Sequence, residues 1–213
     1  MSDYGLITGT GGEPSGKGSG RKFRIRYNAP VTLTFALVSL AVLGLDAMTK
    51  GWTTENLFSV YRSNFSFFWV IRLFGHTLGH SGWAHYASNM TLFLLLGPLL
   101  EEKYGSKNLL EMMAISSVVA AIVQMIFFPG VMLLGASGLV FMLIILTSAV
   151  NMKDGGIPLS MILIILIYIG GEVWDVFTAH DNISHITHIL GGICGAVFGV
   201  IYAKDPKLKE DIR

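Results

Sequence analysis

Six apolar runs, each near the length of a membrane-crossing helix, constrain this 213-residue chain more than any other feature. A helix needs about 20 apolar residues to cross the ~30 Å hydrocarbon layer. Charged residues make up only 14% of the chain, against about 25% in soluble domains. The sequence therefore predicts an all-α, polytopic membrane protein and excludes fibrous, disordered and nucleic-acid-binding classes. The predicted spans are Val31–Met48, Ala84–Leu100, Leu109–Phe128, Ser137–Val150, Ile157–Val173 and Ser184–Tyr202.

The two ends of the chain differ from its middle. Residues 1–27 are rich in glycine, serine and basic residues, which predicts a disordered arm. Residues 28–203 form the predicted membrane domain, and residues 204–213 a charged tail. All lysines and arginines except Lys50, Arg62 and Arg72 fall on one face of a six-span topology. The positive-inside rule makes that face cytoplasmic, so we expect both termini in the cytoplasm, and the short loops favour a bacterial plasma membrane.

The fourth run, Ser137–Val150, is too short to cross the hydrocarbon. It would be about 21 Å long at 1.5 Å per residue. If its C-terminus reaches the inner face, its N-terminus begins below the outer surface, where polar backbone is tolerated only in protein or beside water. The sequence therefore predicts a water-filled cavity that opens outward, with Ser137 at its floor.

A serine stands where that short helix begins, in the segment Gly135-Ala136-Ser137-Gly138. The first N–H groups of a helix have no partner in the helix and carry the positive end of its dipole. A hydroxyl there lies beside donors that can stabilise an oxyanion. The alternative is that Ser137 only caps the helix.

The sixth run combines a histidine with a stripe of glycines. Gly191, Gly195 and Gly199 follow His188 on nearly the same helical face. Small residues at this spacing let two helix backbones approach closely in lipid, and Gly138 on the fourth run offers a matching notch. This packing would bring His188 within reach of Ser137. A histidine on such a stripe also suggests a function, because intramembrane ionisable groups are costly and usually functional. The alternative is helix packing without chemistry.

His185 is a rival base, one turn before His188. The residue three positions after His185 is His188 itself, whose ring would keep the two helices apart at the contact point. His188 is followed by Gly191 instead. The pattern favours His188 as the base and leaves His185 at the outer mouth of the cavity.

The second run opens with several histidines and one asparagine. His85 and Asn89 are four residues apart and share a helical face, and both can donate a hydrogen bond to an oxyanion. The alternatives are interfacial packing or a metal site at His76 and His80. Neither of these two histidines is followed by the glutamate of a metalloprotease motif, so we expect no metal.

Three charged residues near the spans have predicted structural roles. Arg72 is expected to clamp the outer segment between the first two spans. Glu101 is expected to accept bonds from the loop through Lys103–Lys107, and Asp46 to reach the lipid headgroups.

Taken together, these motifs resemble the rhomboid family of intramembrane serine proteases. The matching blocks are Arg72-x-x-x-His76-x-x-x-His80 with His85-x-x-x-Asn89, Gly97 through Glu101 to Gly105, Gly135-Ala136-Ser137-Gly138, and His188-x-x-Gly191-x-x-x-Gly195. The resemblance implies a six-transmembrane-helix rhomboid-like bundle whose short fourth helix starts inside the membrane. It covers residues from about 30 to 203.

The resemblance also implies a role for each site residue. Ser137 would be the nucleophile and His188 the general base, without a third acidic residue. The oxyanion and the substrate would be stabilised by His85, Asn89, Gly135 and Ala136, and the helix packing supported by Gly138, Gly191, Gly195 and Phe141. Phe141 stands where the family often has a tyrosine stacked on the histidine, and Thr187 where it often has alanine.

The expected function is therefore cleavage of peptide bonds in or near transmembrane helices of other membrane proteins, without a cofactor. The expected partners are single-span or polytopic substrates and the lipid bilayer, with no nucleic acid. One alternative is a non-proteolytic rhomboid-like scaffold that binds membrane proteins. Another is a transporter, which would show inverted repeats and paired broken helices.

Overall fold

The computed structural model describes residues 27–149, 159–171 and 182–203, and α-helices dominate these ranges. The predicted tail and all but the last residue of the predicted arm lie outside them, as do both ends of the predicted fifth span. Val60 and Leu133 form a single β-bridge within the described residues. The helices are α1 Pro30–Met48, α2 Trp52–Leu57, α3 Phe67–Gly75, α4 Trp83–Tyr104, α5 Ser106–Phe127, α6 Ser137–Ala149, α7 Leu159–Ile164 with a π-helical continuation Ile165–Ile169, and α8 Asn182–Ala203.

Three of the described helices are long and apolar enough to cross a membrane. They are α1, α5 and the segment His185–Tyr202 of α8, and α6 is a shorter apolar helix. The 22-residue α4 also has the length of a span, but it ends in charged residues. The protein is thus an integral membrane protein, and the count of six spans remains a prediction.

Helix α6 lies at the centre of the bundle. It packs against α4, α5, α7 and α8, and most of its side chains are buried. A helix that is apolar on all faces lies in a protein core or in lipid, and α6, which has no charged residue, lies in the core. This central position fixes the first turn of α6, which begins at Ser137.

The glycines of α8 bring its backbone into contact with α6. A Cβ atom on Gly191 would overlap the carbonyl oxygen of Gly138, and one on Gly195 would overlap that of Met142. Further along, a Cβ on Gly199 would overlap the side chain of Ala149. Side chains larger than hydrogen cannot occupy these positions without separating the helices, so the stripe holds α6 and α8 at backbone contact.

Glu101, at the end of α4, caps the start of α1. Its Oε1 accepts hydrogen bonds from the Val31 N–H at 2.8 Å and the Ser106 hydroxyl at 2.7 Å. Its Oε2 accepts bonds from the Thr32 N–H at 2.9 Å and the Thr32 hydroxyl at 2.8 Å. The predicted contact with the loop through Lys103–Lys107 is made by the Ser106 hydroxyl rather than by loop N–H groups, and the other three bonds come from α1. The carboxylate also meets the positive end of the α1 dipole.

Arg72 clamps the outer segment, as the sequence predicted. Its Nε donates to the Asn56 carbonyl at 2.8 Å, and its Nη1 donates to the Ser63 hydroxyl at 3.2 Å. Its guanidinium lies 4.4 Å above the centre of the Tyr61 ring. Because Asn56 belongs to α2 while Tyr61 and Ser63 belong to the connection between α2 and α3, Arg72 ties both to α3.

Asp46 also caps a helix. Its Oδ1 accepts the Thr54 N–H at 2.7 Å, so the carboxylate caps the first turn of α2. This capping bond was not predicted, and the expectation that Asp46 also reaches the headgroups stays a prediction.

Candidate active site

Ser137 is the first residue of α6, and Ala136 occupies the N-cap position before it. The Val140 N–H donates to the Ala136 carbonyl at 2.9 Å, which is the first bond of the helix. The N–H groups of the first turn therefore point out of the helix end, with no carbonyl of a preceding turn to bind. The Ser137 side chain is half-buried. Because Ser137 is the first helical residue and Ala136 holds the N-cap position, the hydroxyl is not that of an N-cap residue.

His188 lies over this first turn. Its ring stacks on Phe141, with the ring centres 4.3 Å apart and the planes within 5° of parallel. Phe141 is one turn after Ser137 on the same helix. Thr187, the residue before His188, also lies close to this turn. A Cβ atom built on Gly138 would be 3.0 Å from the Thr187 Cγ2. The packing thus brings the predicted base to the same helix end as the predicted nucleophile.

His85 and Asn89 meet the residue just before this turn. A Cβ on Gly135 would lie 2.8 Å from His85 Nε2 and 3.8 Å from Asn89 Nδ2. Gly135 also has φ +116°, a conformation that residues with a side chain rarely adopt. Two features therefore require glycine at position 135: the positive φ angle and the close approach of the His85 ring.

The Asn89 amide is a buried donor without a partner. The side chain is 6% exposed, and its Nδ2 makes no hydrogen bond with the described residues. An unpaired buried donor costs about 1–3 kcal/mol, and native structures keep few of them. A donor kept at this cost beside Gly135 is suited to an oxygen that forms during a reaction.

The loop between α5 and α6 is held at both its middle and its end. Val60 and Leu133 exchange two backbone hydrogen bonds, of 2.8 Å and 2.9 Å. The Gly135 N–H donates to the His76 carbonyl at 2.9 Å. The outer segment before α4 therefore fixes the backbone that leads into Ser137, which no local sequence pattern indicates.

Comparison with known proteins identifies the family. The family model described as the Rhomboid domain matches residues 68–205, which is more than half of the chain. The chain belongs to the rhomboid family. It is 26% identical over 187 residues to Rhomboid protease GlpG of Haemophilus influenzae, an alignment that covers 84% of this chain and 93% of that protein.

A second relative is Rhomboid-like protein 11, chloroplastic, of Arabidopsis thaliana. It is 26% identical over 149 residues, which cover 63% of this chain and 53% of that protein. The chain thus spans about half the length of this relative and nearly the whole length of the bacterial one. The family-model match includes every predicted site residue, since all of them lie between residues 68 and 205.

Three other histidines among the described residues, His76, His80 and His185, lie near the site. The His80 ring lies 5.1 Å from that of His85, and the His185 ring lies 6.4 Å from that of His188. His76 is buried, its Nδ1 lies 3.0 Å from the Arg72 carbonyl, and burial lowers its pKa to about 4. Among the described residues, no cluster of three or more histidine, cysteine or acidic side chains could hold a metal ion.

A small cavity lies directly behind the Ser137 turn. Its volume is about 10 Å³, which is room for one water molecule. It is bounded by Gly135 and Gly138, which flank Ser137 along the chain, and by Gly191 of α8. The polar residues that line it are His76, Thr77, Ser116, Ser117 and Thr187.

Sequence reasoning missed one side chain that touches the site. Ser81, just before α4, has its hydroxyl 3.1 Å from His85 Nδ1. Ser81 precedes the helix, so the helical spacing rule does not apply to it, and no sequence signal points to this contact.

Proposed function

We propose that this rhomboid is an intramembrane serine endopeptidase that uses Ser137 and His188 as a catalytic dyad. Its substrates would be single-span or polytopic membrane proteins, cut in or near a transmembrane helix. No metal or organic cofactor takes part.

One observation carries the proposal. The His188 ring stacks on Phe141, one turn from Ser137, while His85 and Asn89 lie beside Gly135, two residues before Ser137. A base and two hydrogen-bond donors gathered around one hydroxyl are the groups that acyl transfer requires. A binding scaffold needs neither the serine nor the paired donors.

The first half of the reaction forms an acyl-enzyme. His188 takes the proton of the Ser137 hydroxyl as Oγ attacks the substrate carbonyl carbon. The negative oxygen that forms lies near the Ser137 N–H, the Asn89 amide and His85 Nε2. When the carbon–nitrogen bond breaks, His188 gives the proton to the leaving amine.

The second half restores the enzyme. A water molecule gives a proton to His188 and attacks the acyl carbon, and the bond to Ser137 Oγ breaks as Oγ regains that proton. The small cavity beside the turn has room for one such water near the site. The outward-opening cavity predicted from the short α6 would supply it.

A substrate helix must unwind before its backbone reaches Ser137. Residues that weaken a helix near the cut should therefore favour cleavage, since unwinding costs backbone hydrogen bonds. We place the site towards the outer face and both termini in the cytoplasm, as the distribution of lysine and arginine indicates. A bacterial plasma membrane suits this topology.

Cleavage of a single-span reporter by the full-length, detergent-purified protein tests the proposal. The variants are Ser137→Ala and His188→Ala, with His185→Ala as the matched control from the same helix. We expect the first two to lower kcat by at least about 10³-fold and the control to keep most of the activity.

Each result has one reading. Equal cleavage by the wild type and Ser137→Ala would reject the dyad. An uncut reporter that copurifies equally with all variants would favour the scaffold alternative instead.

A further inference from the structure

Just before the start of α4, Ser81 contacts the ring of His85, and the proposed reaction assigns no role to this contact. Ser81 directs two groups at one ring nitrogen of His85. Its hydroxyl lies 3.1 Å from His85 Nδ1, and its backbone N–H donates to the same nitrogen at 3.4 Å. Ser81 itself is exposed, so this contact is not a consequence of core packing.

The backbone N–H identifies where the His85 proton lies. An N–H can only donate, so Nδ1 must accept and cannot carry a hydrogen. A neutral imidazole with an accepting Nδ1 has its proton on Nε2. Nε2 and the neighbouring Cε1 are the ring atoms that face Gly135, each 2.8 Å from where its Cβ would be.

The opposite tautomer would work against the reaction. It would direct the lone pair of Nε2 at the negative oxygen that forms beside the Ser137 turn, and the interaction would be repulsive. With the proton on Nε2, the same ring donates a hydrogen bond to that oxygen. The chemistry of the site therefore depends on which nitrogen of His85 accepts.

We propose that Ser81 is a positioning residue that holds His85 in the tautomer with a protonated Nε2. This inference rests on the proposed function, in which His85 stabilises the oxyanion. Ser81 does not touch the substrate, and it acts only through the ring of His85. The T-shaped contact with His80, 5.1 Å between ring centres, supports the same ring orientation.

Nitrogen-15 NMR of histidine-labelled protein in detergent at neutral pH tests the tautomer directly. His85→Gln assigns the signal, because only that residue's ring disappears. We expect the wild type to show a protonated Nε2 and a bare Nδ1. Ser81→Ala keeps the backbone N–H and removes only the hydroxyl, so the fraction with a protonated Nδ1 should rise by the contribution of one hydrogen bond, a shift of about threefold to tenfold in the tautomer ratio.

Reporter cleavage provides the functional readout. Ser81→Ala should lower kcat about threefold to tenfold with KM unchanged, and Ser81→Thr should restore it because threonine keeps the hydroxyl. Ser88→Ala is the matched control. Ser88 is also exposed on α4, but its hydroxyl donates to the His85 backbone carbonyl at 3.0 Å and not to the ring.

The outcomes separate this inference from the proposed function. A protonated Nδ1 on His85 in the wild type would overturn the inference, whatever the activity. So would a Ser81→Ala variant that matches Ser88→Ala in both tautomer ratio and kcat. If the wild type does not cut the reporter, the proposed function fails, and the NMR comparison still decides whether Ser81 sets the tautomer.

Discussion

Replacing Gly191 with alanine should disable this rhomboid without unfolding it. The added Cβ would overlap the Gly138 carbonyl oxygen, and it would lie 2.8 Å from the Gly138 carbonyl carbon. Both are backbone atoms in the middle of the bundle, so no side chain can rotate to make room. Since carbon atoms in contact are about 3.5–4.0 Å apart, α8 must move away from α6 by about 1 Å.

This displacement acts at the place where the dyad is proposed. His188 is one turn before Gly191 and Ser137 is next to Gly138, so the shift widens the gap between base and nucleophile. A misplacement of about 1 Å can cost about 10²-fold in rate, which corresponds to about 2.7 kcal/mol of activation free energy. We expect kcat for the reporter to fall about 100-fold, with KM nearly unchanged.

Two other glycines provide controls. Gly44→Ala adds a methyl group to α1 where nothing lies within 4 Å, so kcat and Tm should not fall. Gly199→Ala crowds the same helix pair against Ala149, about 18 Å from Ser137 along α6. It should lower Tm, as overpacking does at about 1–3 kcal/mol, with a much smaller effect on kcat. If Gly191→Ala lowers only Tm and keeps the kcat of the folded protein, the positioning argument is wrong.

Three further predictions concern single side chains. Glu101→Gln should lower the stability of the protein in detergent by about 3 kcal/mol, seen as a lower Tm, because an amide cannot accept all four of the bonds that the carboxylate accepts. Phe141→Leu should lower kcat about twofold to tenfold through loss of the ring stack, while Phe141→Tyr should keep it. Burial lowers the pKa of His76 from 6.5 to about 4, so its contribution to stability is complete above pH 6.5. It should decline as the pH falls towards 4, because the unfolded chain binds the proton first.

Each of these predictions has a comparison that can contradict it. Glu102→Gln changes the exposed neighbour of Glu101 and should leave Tm unchanged, so equal losses would refute the capping role. A Phe141→Leu variant as active as the wild type would show that the stack does not orient His188. For His76, the Tm of His76→Asn should depend less on pH between 6.5 and 4 than that of the wild type, and parallel curves would refute the assignment.

Much of the helical framework was predictable because the apolar runs and glycines carry it directly. The sequence predicted a span over Val31–Met48, and α1 is Pro30–Met48, where a proline suits the first turn. It predicted Ser137 as the start of a short helix, and α6 begins there. The end of α4 was missed by one turn, because the charged residues after Leu100 are helical as well.

The partners of the polar side chains were less predictable. Glu101 binds the start of α1, 69 and 70 residues away along the chain, and such a pair depends on how helices dock rather than on local pattern. The bridge between Val60 and Leu133 is a contact of the same kind. Ser81 was missed for a different reason, since its contact with His85 is local but depends on ring orientation, which spacing alone does not give.

Covalent labelling with a serine-directed fluorophosphonate tests the central claim most directly, because it requires no knowledge of the natural substrate. After labelling of the full-length protein in detergent, peptide mass spectrometry locates the modified residue. We predict an adduct on Ser137 in the wild type and in His185→Ala, and its loss in His188→Ala. An adduct on another serine, or equal labelling of Ser137 in His188→Ala, would contradict the dyad.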